Sequence, residues 1–84
     1  MIFLIEYDRT TGRLLQLREF VDANRRAADD ARLELELALH QQSVEHEVVL
    51  LDAASSDALR LTHRRYFEGI ESLSKVPGSA GSTN

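Results

Sequence analysis

Two short apolar runs constrain this chain more than anything else in it. Ile2-Phe3-Leu4-Ile5 opens the sequence and Val48-Val49-Leu50-Leu51 lies past its middle. Successive side chains of a strand point to opposite faces, so each run is apolar on both faces of any sheet it joins. A sheet with one face in water alternates instead. Two solutions follow. One helix covers each face, or the face that the helices leave open is buried against a second copy.

The length sets the scale of the answer. With 84 residues, 43% hydrophobic and 29% charged, the chain holds one small domain and is too apolar to be wholly disordered. No apolar run approaches the roughly 18–20 residues that span a bilayer. The first residues lack the basic n-region of a signal peptide. The absence of cysteine excludes disulfides, thiolate zinc sites and cysteine nucleophiles. A cytoplasmic protein without cofactor or membrane partner is the simplest expectation.

The elements follow from pattern and punctuation. Residues 1–21 read as a β-hairpin, turning at Asp8-Arg9-Thr10-Thr11-Gly12. On its second strand, Leu15, Leu17 and Val21 fall on one face and Leu14, Gln16, Arg18 and Phe20 on the other. Residues 23–42 form a long helix that Asp22 or Asn24 can cap. Its apolar face collects Ala28, Ala31, Leu35, Ala38, Leu39 and Gln42. A period-two pattern over residues 33–39 is a rival signal, outweighed by about 20 residues without a breaker. Residues 45–53 form a third strand. A second helix starts near Asp57, capped by Ser55 or Ser56, with Leu59, Thr62, His63, Tyr66 and Ile70 facing inward. It ends at Gly69 in a Schellman motif or runs to about Ser74. The fold class is α+β, a β-β-α-β-α two-layer sandwich with a three-stranded, mainly antiparallel sheet. Connection rules favour strand order 2-1-3. Residues 1–73 are the domain, and 74–84 a flexible polar tail.

Some apolar residues remain once this core is built. Leu33 and Leu37 lie about 160° round the long helix from Leu35, and Leu61 lies opposite Leu59. Together with a two-faced sheet they make a patch, worth several kcal/mol when covered, at ~25 cal/mol per Å². Leu33, Leu37 and Leu61 are the expected protein interface, and a twofold dimer the expected assembly.

Charge is unevenly distributed. Residues 29–57 carry a balance of −7, and the segments on either side +1 and +2. The net charge of −4 argues against nucleic acid as the default partner. Arg60, Arg64 and Arg65, joined by Arg9 and Arg13 at the hairpin tip, nonetheless form a basic edge that could contact phosphates. Salt bridges from these arginines to the acidic face of the long helix are the plainer expectation.

Catalytic and metal constellations are sparse. Glu36 and His40 are one helical turn apart, while alternation in Glu45-His46-Glu47 sets His46 opposite both acids. Neither reaches the three or four ligands of a zinc site. There is no nucleophile elbow and no glycine-rich phosphate loop. Thr62, His63 and Tyr66 form the one polar cluster with acid–base potential. The sequence therefore reads first as a small self-associating interaction module without catalytic activity, able also to meet another protein. The alternatives are a nucleic-acid or polyanion binder on the arginine edge, and a ligand-binding protein or enzyme centred on His63 and Tyr66.

Overall fold

A computed structural model describes residues 1–68. Strands β1 (Ile2–Asp8) and β2 (Arg13–Phe20) form the hairpin, a 3-10 turn (Asp22–Asn24) leads into helix α1 (Arg25–Gln41), and strand β3 (Glu47–Asp52) follows. A short helix α2 (Ser56–Thr62) and a second 3-10 turn (Arg64–Tyr66) complete the described chain. The sheet is antiparallel throughout, in the order β2-β1-β3. The α+β class and the strand order are those indicated by the sequence.

The central strand resolves the problem of two apolar faces. Ile2, Phe3, Leu4 and Ile5 are all 0% exposed. Phe3, Ile5 and Tyr7 cluster with Leu59, Tyr66 and Phe67 from the α2 segment. On the opposite face, α1 packs across β1 and β3 through Ala28, Leu35 and Leu39. The helices therefore lie on opposite faces, and the α2 segment adds a partial third layer to the two-layer outline. Gln42, expected on the inner face of α1, is exposed at its C-cap.

The hairpin differs from simple alternation at one residue. Its turn is as expected: Asp8 Oδ1 accepts from the Thr10 amide at 2.9 Å, and Gly12 takes φ +72°. The register then jumps from Glu6↔Gln16 to Tyr7↔Leu14, leaving Leu15 as the extra residue of a bulge. Leu14 thereby joins Leu17 on the core face, and Leu15 turns to solvent. The expected pairing of Leu15 with Leu17 on one face is corrected accordingly.

Both helices also depart from expectation at an end. Neither Asp22 nor Asn24 caps α1 through its side chain, and Asp22 instead binds the N-terminal ammonium at 2.9 Å. Ser55 does cap α2, accepting from the Ala58 amide at 3.1 Å. That helix stops at Thr62 rather than near Gly69 or Ser74, and Thr62 is exposed rather than inward. The Thr62 hydroxyl bonds back to the Ala58 carbonyl at 3.0 Å, and His63 leaves the helix at φ −128°, ψ 55°. An unbroken helix would set Tyr66 and Phe67 about 100° apart. The break lets both reach the core. Gly69, Ile70 and the polar tail lie outside the described residues.

Helix α1 ends in a Schellman motif at an unusual residue. The Val44 amide bonds the Leu39 carbonyl at 2.9 Å and the Ser43 amide the His40 carbonyl at 3.1 Å. Ser43 sits at φ 57°, where a Cβ is unfavourable. Ser43→Gly should therefore stabilise the fold by about 0.5–1 kcal/mol. Thermal unfolding checks this, and an unchanged or lower midpoint would refute it.

Candidate functional site

The densest polar constellation surrounds Glu47, the first residue of β3. Strand pairing sets it opposite Tyr7, on the face that carries the α2 segment. Its Oε2 accepts from the Tyr66 hydroxyl and from Arg65 Nη2, both at 2.5 Å. Arg65 also donates to the Tyr66 oxygen at 2.8 Å, and its guanidinium lies 4.3 Å from the Tyr66 ring centre. Tyr66 meets Tyr7 edge to face at 5.1 Å. Glu47 Oε1 is buried and has no hydrogen-bond partner among the described residues.

These contacts fix the protonation of the group. The bond from Tyr66 holds the Glu47 carboxyl below its usual range; burial opposes this, and Arg65 reinforces it. Burial pushes the Tyr66 phenol up, helped by its bond to Glu47 and that residue's negative charge. For Arg65, burial works against the charge but is outweighed by Tyr66 and Glu47, so its affinity for its proton rises. A low carboxylate and a high phenol are both displaced away from neutrality. The trio binds the α2 segment to β3 and is poorly placed to exchange protons.

The sequence-predicted polar cluster is only partly assembled. Thr62, His63, Arg64, Arg65 and Tyr66 line an open cavity of about 340 Å³. His63 Nδ1 pairs with the Thr62 hydroxyl at 2.9 Å, whereas Tyr66 turns to Glu47. His63 and Tyr66 thus share a cavity wall and a backbone bond, from the Tyr66 amide to the His63 carbonyl at 3.3 Å, but their side chains have different partners.

The arginine edge is likewise dispersed. Arg65 is engaged by Glu47 of β3, and not by the acidic face of α1 as expected. Arg60 stacks on the Phe67 ring at 4.8 Å. Arg64 is exposed and lines a second opening with Arg60, Leu61 and Glu68. Arg9 lies close enough to Glu47 to lower its pKa, while Arg13 pairs in register with Asp8.

On the opposite face, His46 Nδ1 lies 2.7 Å from Glu6 Oε2, and its Nε2 is 3.9 Å from Asp8. Alternation does separate His46 from Glu47, as the sequence indicates. Glu36 of the helical pair is bound by Arg32 at 3.0 Å, and His40 is exposed. Among the described residues no group of three or more His, Asp or Glu converges as a metal site would require.

The three candidate interface leucines are exposed: Leu33 by 53%, Leu37 by 54% and Leu61 by 67%. They do not form one patch. Leu33 and Leu37 lie on the outer ridge of α1, while Leu61 belongs to α2 on the other side of the sheet. The sequence points to Glu47 only as part of the Glu45-His46-Glu47 string weighed for metal, and to Glu6 not at all. Their partners, Arg65 and His46, are 18 and 40 residues away, and no local pattern signals either pairing. No protein-family model matches the chain, and no curated protein or solved structure matches it either.

Ion pairing at Glu47 carries a pH signature. A carboxyl held below its usual range contributes stability above that range, and this stability is lost as pH falls through its folded value. Stability should therefore fall on acidification below about pH 5. Tyr66→Phe removes one bond to Glu47 and should cost about 1 kcal/mol at neutral pH, with a shallower acid decline. Urea unfolding at pH 7 and pH 3.5 checks both statements; an acid decline identical in the two proteins would contradict the role of Tyr66.

Proposed function

We propose that the chain is a small self-associating interaction module without catalytic activity of its own. One observation carries this reading. The polar groups that could perform chemistry are bonded to one another, whereas much apolar surface has no partner. Glu47, Arg65 and Tyr66 are mutually engaged, as are His46 and Glu6. Yet Leu33, Leu37 and Leu61 are exposed, and Val48 through Leu51 are only half-buried, even with a helix on each sheet face.

The size of the domain points the same way. A chain this short buries a smaller fraction of its surface than a larger domain, and association is a usual supplement. No helix among the described residues is long and apolar enough to cross a membrane. Closed twofold symmetry is the commonest way for such a surface to be covered.

The polyanion alternative is weaker because Arg65 is neutralised by Glu47 and Arg60 is stacked on Phe67. It would also show a steep loss of affinity with salt.

Sedimentation equilibrium at micromolar concentrations, in low and high salt, tests the proposal. The expected result is a dimer that persists at high salt, since apolar burial is not screened. A monomer across the whole range would end it.

A further inference from the structure

The two edges of the sheet are unlike. Strand β2 has the features of a solvent edge: a bulge at Leu15 and the exposed charges Arg13, Arg18 and Glu19. Strand β3 has none of these between its ends. Its four central residues are Val48, Val49, Leu50 and Leu51, with charge only at Glu47 and Asp52. That is the pattern of β1, whose apolar run is fully buried between two neighbours. Among the described residues strand β3 has β1 on one side only, and its apolar residues remain half-exposed.

The geometry points to a second copy of this chain pairing along β3, in a continuous six-stranded sheet with order β2-β1-β3-β3-β1-β2. This rests on the self-association proposed above and identifies its interface. Pairing two antiparallel β3 strands requires a twofold axis perpendicular to the sheet. Such an axis places residues of the same face opposite one another. Glu47 and Asp52 lie on opposite faces, so their like charges never meet. An axis at Val49 sets Val48 against Leu50 and leaves Leu51 against Glu47, whereas an axis at Leu50 sets Val49 against Leu51 and leaves Val48 against Asp52.

Helix α1 carries a self-complementary charge pattern that a copy would match. Its Arg25 pairs with Asp52 at 2.7 Å, so this flank faces the β3 edge. The opposite flank, with Ala31, Glu34 and Leu35, faces Gln16 and Arg18 of β2. At about 100° per residue, Arg25, Asp29, Arg32 and Glu36 share the β3-side flank, and they alternate in sign. Against an antiparallel copy, Arg25 meets Glu36 and Asp29 meets Arg32, extending the ion pairs that Arg25 makes with Asp52 and Arg32 with Glu36 inside each chain. The centre of that alignment lies between Asp30 and Ala31.

The same twofold axis serves both the strands and the helices. From Asp52 to Leu50 is about 7 Å, and to Val49 about 10 Å, at ~3.3 Å per residue. Roughly 8 Å along α1 from Arg25, at ~1.5 Å per residue, arrives between Asp30 and Ala31. The strand provides backbone pairing and apolar burial, and the charge ladder fixes orientation. Leu33 and Leu37, on the outer ridge of α1, lie outside this contact.

The chain has no cysteine, so single substitutions report position without interference. Val49→Cys and Leu50→Cys place thiols at or beside the axis, within disulfide reach of their own copies. Under mild oxidation at least one should give a covalent dimer, and Leu33→Cys should not. Hydrogen exchange on the unmodified protein provides a second reading that needs no substitution. The β3 amides should become more protected as concentration rises through the dimer range, and the β2 amides should not. A dimer by mass without cross-linking at Val49 or Leu50, and without added β3 protection, overturns this interface and leaves self-association standing. A monomer by mass overturns both.

Discussion

The backbone pairing of β1 on both sides is the constraint on which the structure depends. A strand with Ile2 through Ile5 apolar on both faces can only be central, with a ladder on each edge and a layer on each face. The hairpin supplies one neighbour through a short turn, and the α1 crossover supplies the other. Once β1 is central, α1 must cover Ile2 and Leu4, and another element must cover Phe3, Ile5 and Tyr7. Among the described residues that second task falls to a segment with one seven-residue α-helix, and its aromatics carry much of the packing.

The Glu47–Arg65–Tyr66 group makes that short segment sufficient. Leu59, Tyr66 and Phe67 contribute apolar area, but seven helical residues have little intrinsic stability. A shared carboxylate oxygen linking Arg65 and Tyr66 to the start of β3 fixes the segment in position and register. The Tyr7 ring completes the enclosure from β1. Removing either donor would leave a largely enclosed carboxylate with one fewer partner, which is costlier than losing a surface ion pair. The group is best understood as a strap between the partial layer and the sheet.

The parts of this arrangement that follow from periodicity were legible in the sequence. Apolar runs marked β1 and β3, helical spacing placed Ala28 and Leu39 inward, and connection rules gave the strand order. Three features escaped because local pattern does not encode them. The bulge at Leu15 reverses the faces of Leu14 and Leu15 through one unpaired residue, which alternation does not reveal. The break at His63 opposes a good helical pattern, and it wins because it seats Tyr66 and Phe67 together. The polar pairs at Glu47 and His46 join residues distant in sequence, so composition shows their members but not their partners.

The asymmetry between the sheet edges extends the same reasoning beyond one chain. The physics that makes β1 central applies equally to β3, because both carry apolar residues on both faces. Only one of them has two strand neighbours within the described chain. A free edge of this character is an aggregation hazard unless charge, a bulge or a partner blocks it. Strand β2 has the first two protections, and β3 has charges only at its ends. Pairing with a copy removes the hazard by symmetry, since the two exposed edges consume each other and leave the bulged, charged β2 strands at the outside. In that arrangement the charged flank of α1 discriminates against other apolar strands: an unrelated partner finds the backbone ladder but not the alternating counter-charges above it.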